Sequence, residues 1–427
     1  CYFNGETPAH LFITEQESQP SQADSPSPGA TPAKEQVDNL IALYNQGRLE
    51  EVVTRANALI EQFPQAIGLY NILGAANASL RRHDAAIANF NRAIRIDPNH
   101  AEALNNLGGA LFETGNLRAA IESYNRAIEI KPDYAEAHSN LGNALLNKGE
   151  PTAAISSYNR AIRINPKFVA GHSNLGNALK EAGELDKAFE SYNRAIEINP
   201  GYAEGHYNLG IALKEKGDFR SAIASFKQAI AIKPGYAKAH NNLGAALQAS
   251  GDSVAAISSF SRAIEINQDH AEAHSNLAGV LQKNGNLKAS IESYKRAVDI
   301  KPDFSSALAH KLHGQAFICD WDAIKTDRHL IPDLGVSTKF VTPFSMLTME
   351  DHPARHRQRS ELYAQNKCKG RDTVLPALAP PPKKPEKLRI GYFSADFHVH
   401  PVMHLIVKML ELHDRSAFEI HGFSFGP

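Results

Sequence analysis

Residues 105–138 read NNLGGALFETGNLRAAIESYNRAIEIKPDYAEAH, and residues 139–172 repeat them column for column as SNLGNALLNKGEPTAAISSYNRAIRINPKFVAGH. Self-similarity at a fixed 34-residue spacing decides the fold before any single side chain does. Leu73, Leu107, Leu141, Leu175, Leu209, Leu243 and Leu277 share one register. Gly74, Gly108, Gly142, Gly176, Gly210 and Gly244 follow them, and Ala278 breaks that series. Ala93, Ala127, Ala161, Ala195, Ala229, Ala263 and Ala297 form another column, and Phe90, Tyr124, Tyr158, Tyr192, Phe226, Phe260 and Tyr294 a third. Pro98, Pro132, Pro166, Pro200, Pro234 and Pro302 close units.

Each unit reads as two helices. In AEALNNLGGALFET the apolar residues fall at helical spacing, and a Gly-centred turn stops the run. LRAAIESYNRAIEI repeats the helical spacing and ends before a Pro, which cannot continue a helix. Small residues let the two helices approach, and the aromatics fill the space between. This is the tetratricopeptide pattern. Eight units are predicted over 33–304, the first of them degenerate, as terminal repeats with one face in water often are. The fold class expected is mainly α, a solenoid followed by the beginning of an α/β lobe.

Residues 1–32, rich in Ser, Pro and Gln, bury little apolar surface and are expected to be disordered. After 304 the columns are lost, and 305–375 reads as a helical transition segment. Within it Trp321 is expected to be a packing anchor. Arg355, His356, Arg357 and Arg359 are expected on a solvated helix face. Residues 376–387, PALAPPPKKPEK, form an extended linker. Residues 388–427 start with an apolar strand, LRIGYF, continue through a helical pattern after Pro401, and end on a second strand, FEIHGFSF. Strand, helix, strand implies a parallel sheet, whose ligands gather beyond the carboxyl ends of the strands. The chain opens CYFNGETPAHLF without an initiator Met and closes at SFGP directly after a strand-like run, so a fragment is expected.

Composition excludes several functions. Lys plus Arg number 45 and Asp plus Glu 46, a balance that offers no basic face for nucleic acid. No stretch approaches the ~20 apolar residues of a membrane span. Three isolated cysteines, Cys1, Cys319 and Cys368, give neither a disulfide framework nor a metal pair and fit a reducing, cytoplasmic setting.

Two sets of residues invite chemistry. Asn106, Asn140, Asn174, Asn208, Asn242 and Asn276 recur inside the first helix of successive units. Asn costs up to ~0.7 kcal/mol relative to Ala at such a site. A stacked column of amides can donate to and accept from the backbone of an extended peptide whatever its sequence. The competing reading is a harmless residue copied by duplication. His138, His172, His206, His240 and His274 form a second column, read as packing or surface consensus. The other set is SADFHVHPVMH, which places Asp396, His398, His400 and His404 after the first strand. Metal binding lacks a completing carboxylate or thiol set. A structural role, and a neutral His400 at a helix N-terminus able to take or orient a hydroxyl proton, both remain.

The repeats leading into ICDW, SMLTMEDHP, LRIGYFSADFHVHPVMHL and LHDRSAFEIHGFSFGP together resemble the O-linked N-acetylglucosamine transferases and their SPINDLY-like relatives. The resemblance implies a two-lobed GT-B glycosyltransferase that moves a sugar from a nucleotide sugar to Ser or Thr hydroxyls of intracellular proteins. His400 would stand beside acceptor and sugar, with Asp396 supporting its loop and His404 on the following helix; His398 receives no role. The Asn column would grip extended or disordered segments of substrate proteins. The resemblance implies no metal and no cofactor beyond the donor, UDP-GlcNAc. The donor-binding lobe would lie outside this chain, so no donor-binding residue is assigned and the chain alone is expected to be inactive. GDP-fucose as donor, or a non-catalytic binding scaffold, are the alternatives. Neither target proteins nor oligomeric state can be read from the residues.

Overall fold

Every unit of the repeat folds as two helices joined by a turn centred on one left-handed residue. The computed structural model describes residues 31–339, 341–346, 349–350, 352–367, 388–394 and 418–424. The proposed disordered start up to residue 30, the 376–387 linker, and Asp396, His400 and His404 lie outside the described residues. The chain divides into two units, residues 1–360 and 361–427.

The helices pair in chain order: α1 (Lys34–Asn45) with α2 (Leu49–Gln62), α3 (Ile67–Ser79) with α4 (His83–Ile96), α5 (Ala101–Glu113) with α6 (Leu117–Ile130), and α7 (Ala135–Asn147) with α8 (Pro151–Ile164). Then come α9 (Val169–Glu181) with α10 (Leu185–Ile198), α11 (Ala203–Lys216) with α12 (Phe219–Ile232), α13 (Ala237–Ala249) with α14 (Ser253–Ile266), and α15 (Ala271–Lys283) with α16 (Leu287–Ile300).

The columns explain the packing. Ala93 through Ala297 are fully buried, so a second helix can press against its neighbours without a side chain intervening. The aromatic of each unit lies across the Gly of the same unit. A Cβ on Gly176 would stand 2.5 Å from Cε1 of Tyr192, so only hydrogen fits there. Where Ala278 replaces the Gly, Tyr294 stacks on His310, with ring centroids 5.5 Å apart, and Ser290 Oγ donates to the Ala278 carbonyl at 2.8 Å. In five units an Asn or Asp caps the second helix: Asn116, Asp218, Asp252, Asn286 and Asp320 each accept from a first-turn backbone N–H.

The sequence columns stop after residue 304, but the backbone register does not. α17 (Ser305–Phe317) begins 34 residues after α15, and its turn leads into α18 (Trp321–Asp327). This pair repeats the hairpin geometry until α18 ends early in a 3-10 turn, Arg328–Leu330. Lys311 on α17 pairs with Asp327 at 2.6 Å, tying the shortened helix back. Leu308, Leu312, Ile324, Ile331, Leu334, Val341 and Met346 pack into one cluster against this last pair.

Two sequence expectations fail in this region. Trp321, the first residue of α18, is 54 % exposed, and Phe317 at the end of α17 is more exposed still, at 72 %. Arg359, on α19 (Pro353–Lys367), is fully buried. Its Nε donates to the Leu334 carbonyl at 2.6 Å and its Nη2 to the Ile331 carbonyl at 2.8 Å, while Nη1 meets Glu350 at 2.5 Å. Glu350 also takes Arg355 at 2.6 Å. The periodicity of a polar helix cannot register a carboxylate and two carbonyls brought from other segments.

In the second unit, β1 (Leu388–Ser394) and β2 (Phe418–Ser424) pair in parallel, Leu388 opposite Phe418 and Ser394 opposite Ser424. A parallel pair requires a crossover connection, which is what the strand, helix, strand pattern anticipates.

Candidate functional site

The first helices of successive units touch one another, α3 with α5, α5 with α7, and onward to α13 with α15. No consecutive second helices come comparably close among the described residues. The layer whose members crowd together lines the inner side of a curved stack. The Asn column is carried by this inner layer, half-buried in each unit.

Five of the six rungs are anchored to the unit before them. Asn106 Nδ2 donates to Asn71 Oδ1 at 2.9 Å, Asn140 to Asn105 Oδ1 at 3.0 Å, and Asn276 to Asn241 Oδ1 at 3.0 Å. Asn208 donates to Ser173 Oγ at 3.2 Å, and Asn242 to the Tyr207 hydroxyl at 3.1 Å. The acceptor is always 35 residues back. Asn174 makes no such bond among the described residues. All six rungs are half-buried. In Asn106, Asn140, Asn208 and Asn276 one amide N–H fixes the plane of the side chain, and the remaining N–H and the carbonyl oxygen stay available for a ligand.

The supporting column was missed by sequence reasoning. Asn71, Asn105, Ser139, Ser173 and Asn241 are buried, and all of these but Ser139 accept from a rung. A signal existed: the residue preceding each rung is polar, in the dipeptides NN, SN, SN, YN, NN and SN. A second inner row holds Asn143 and Asn177, whose Oδ1 atoms accept from the buried hydroxyls of Tyr158 and Tyr192, both at 2.7 Å. Burial pushes both phenols up, so they remain donors.

The rung at Asn242 differs from the others. Its Nδ2 reaches both the Tyr207 hydroxyl and the Lys238 carbonyl, each at 3.1 Å, and its Oδ1 accepts from Lys214 Nζ at 2.7 Å. Tyr207 is pushed up to about 12 by burial, against a lowering from Asn242, and stays protonated. Burial lowers Lys214, with a partly opposing pull from Glu215 and a further push down from Lys180.

The histidine column has a different use. Nε2 of His138, His172, His206 and His240 meets the carbonyl of Pro132, Pro166, Pro200 and Pro234, and His274 meets that of Gln268, at 3.1 to 3.3 Å. A carbonyl only accepts, so Nε2 carries the proton. The ring staples the start of one unit to the end of the previous one. Among the described residues no group of three His, Cys, Asp or Glu side chains could hold a metal ion, and no helix is long and apolar enough to cross a membrane.

Comparison with known proteins agrees with this architecture. The family described as TPR repeat matches residues 78–115, 108–149, 142–183, 176–217 and 212–251, and Tetratricopeptide repeat matches 247–316. Glycosyl transferase family 41 matches residues 374–427. Among solved structures, the chain is similar to one in the APC/C hetero-tetramer Cut9-Hcn1, at 18 % identity and a TM-score of 0.49, covering 63 % of this chain and 53 % of that one. The chain thus spans about half the length of that relative. It is similar to MamA at 32 % identity, a TM-score of 0.35, and 39 % and 97 % coverage. It is also similar to YrrB, a TPR protein with an unusual peptide-binding site, at 25 % identity, a TM-score of 0.35, and 43 % and 95 % coverage. No curated protein matches the chain. The chain is a tetratricopeptide solenoid with a segment like glycosyl transferase family 41 near its end.

Proposed function

We propose that this chain carries the substrate-gripping solenoid and the leading strand unit of a protein O-glycosyltransferase. The observation that carries the reading is the pairing, in one chain, of an inner-face Asn column with the family 41 match over 374–427. The transfer is of N-acetylglucosamine from UDP-GlcNAc to Ser or Thr hydroxyls of cytoplasmic proteins. Extended segments of those proteins lie along the rungs, where the anchored amides of Asn106, Asn140, Asn208 and Asn276 offer an N–H and a carbonyl oxygen to a passing peptide unit.

His400 orients or accepts the hydroxyl proton, Asp396 holds its loop, and His404 supports it from the next helix. The support for this is sequence position: these residues follow β1, whose carboxyl end is where parallel sheets place their ligands. A neutral imidazole is suited to that role because it can accept a proton at working pH.

The test uses the full-length protein that contains this chain. It is incubated with an acceptor protein and either UDP-GlcNAc or GDP-fucose, and the product mass is read. A single N-acetylhexosamine increment with UDP-GlcNAc, lost in His400→Ala, is expected. A deoxyhexose increment instead would assign the SPINDLY-like reaction, and no increment from either donor would leave a binding scaffold.

A further inference from the structure

The rung at Asn242 has lost the features that let the others bind a neutral peptide backbone. Both its N–H groups are spent, on the Tyr207 hydroxyl and the Lys238 carbonyl, and its oxygen is taken by an ammonium. No other rung oxygen accepts a hydrogen bond among the described residues. What the concave face offers at this level is therefore Lys214 itself. One of its three N–H donors is fixed on Asn242 at 2.7 Å, which aims the group, and two are unspent.

The charge there is uncompensated. The carboxylate whose charge acts on Lys214, Glu215, is engaged by Lys180 at 3.2 Å, and no carboxylate lies within ion-pair distance of Lys214 among the described residues. Lys180, Glu215 and Lys214 together leave one net positive charge. The cations, Lys180 and Lys214, are half-buried on adjacent first helices, α9 and α11, where water screens them less than on an open surface. An ammonium held this way loses solvation, and a carboxylate restores more of it than a neutral acceptor does.

We propose that Lys214, positioned by Asn242, forms a carboxylate-selective subsite in the groove, which takes a Glu or Asp side chain of the bound extended segment. The subsite rests on the reading of the concave face as a peptide groove and adds a preference to it. The neutral rungs hold backbone of any sequence; this level favours an acidic residue at one fixed place along the segment.

The full 427-residue chain is immobilised and exposed, at low ionic strength, to two degenerate peptide pools that differ only in a fixed central residue, Glu or Gln. Wild type is expected to retain the Glu pool about tenfold better, the gain of one charge-assisted hydrogen bond. Lys214→Met should bring the ratio to one, and Lys214→Arg, which keeps the cation, should hold it above one. Thermal melting of both variants confirms that they are folded. Equal retention of both pools by wild type overturns the subsite and leaves the groove standing. Undiminished preference in Lys214→Met, or in Lys214→Gln should the Met variant fold poorly, overturns the role of Lys214. Failure to retain either pool overturns the groove reading and the subsite with it.

Discussion

Arg359 is the residue whose surroundings differ most from its sequence neighbourhood. In the row RHRQR it looks like one more solvated cation. In the fold it satisfies two carbonyls, of Ile331 and Leu334, and neutralises Glu350. Burial raises the Glu350 carboxyl, but hydrogen bonds and charge from Arg355 and Arg359 outweigh it and hold the group below its ordinary value of 4.5. A folded-state value below the unfolded one stabilises at neutral pH, fully above the unfolded value, and the benefit is lost as pH falls through the folded value. Amide exchange over 353–360 should therefore accelerate on acidification below about pH 4. Arg359→Met should accelerate it already at pH 7, by the equivalent of about 3 kcal/mol, because it leaves two carbonyls without their donor and Glu350 with Arg355 alone. Exchange in that segment indifferent both to pH and to the substitution would show that the cluster is not what holds it.

The helical hairpin is the element that repeats, and its turn is the most demanding part. Gly47, Gly115, Gly149, Gly183, Gly217, Gly251 and Gly285 adopt φ between +75° and +92°. The two places where the 34-residue spacing has no Gly, Arg81 and Cys319, keep the same left-handed backbone at φ +58° and +59°. Tertiary packing on both sides of the turn imposes the conformation whatever residue is there, at a cost of about 1 kcal/mol for a side chain. Cys319 is exposed, so its replacement removes no packing. Cys319→Gly should stabilise the last hairpin by about 1 kcal/mol, read as a shift in the urea midpoint at unchanged slope. The same turn explains why the final pair was not legible as a repeat unit. Its Gly, its aromatic and its closing Pro are all replaced, while the backbone geometry survives because α17 is already seated on α16.

Across the whole solenoid, stability and binding both depend on what one unit does to the next. The histidine staples and the anchored amides are all junction bonds. Asn105 illustrates the consequence. It is buried, so it is no candidate to touch a ligand, yet it fixes the amide plane of Asn140 one unit later. Asn105→Ala should weaken capture of an extended peptide by about threefold, and the effect should vanish in an Asn140→Ala background, since coupled groups are non-additive. Equal losses in both backgrounds would mean that the rung needs no support from the unit before it. This dependence between units also marks where sequence reading succeeds. Leu, Gly, Ala and aromatic columns were visible because each makes the same local contact in every unit. The Asn rungs were visible for the same reason, but their partners were not, since a residue 35 positions away is adjacent only after the units stack.

The amino-acid sequence alone determined the helical hairpin, its period and the two parallel strands, because helix spacing, turn residues and apolar runs are local and are repeated or bounded by Pro and Gly. Only the tertiary structure decided which amides are anchored, that Lys214 is fixed on Asn242, that Arg359 is buried, and that the hairpin continues past residue 304. Those outcomes turn on contacts between segments far apart in the chain, and a desolvated polar group goes wherever folding happens to bring it a partner.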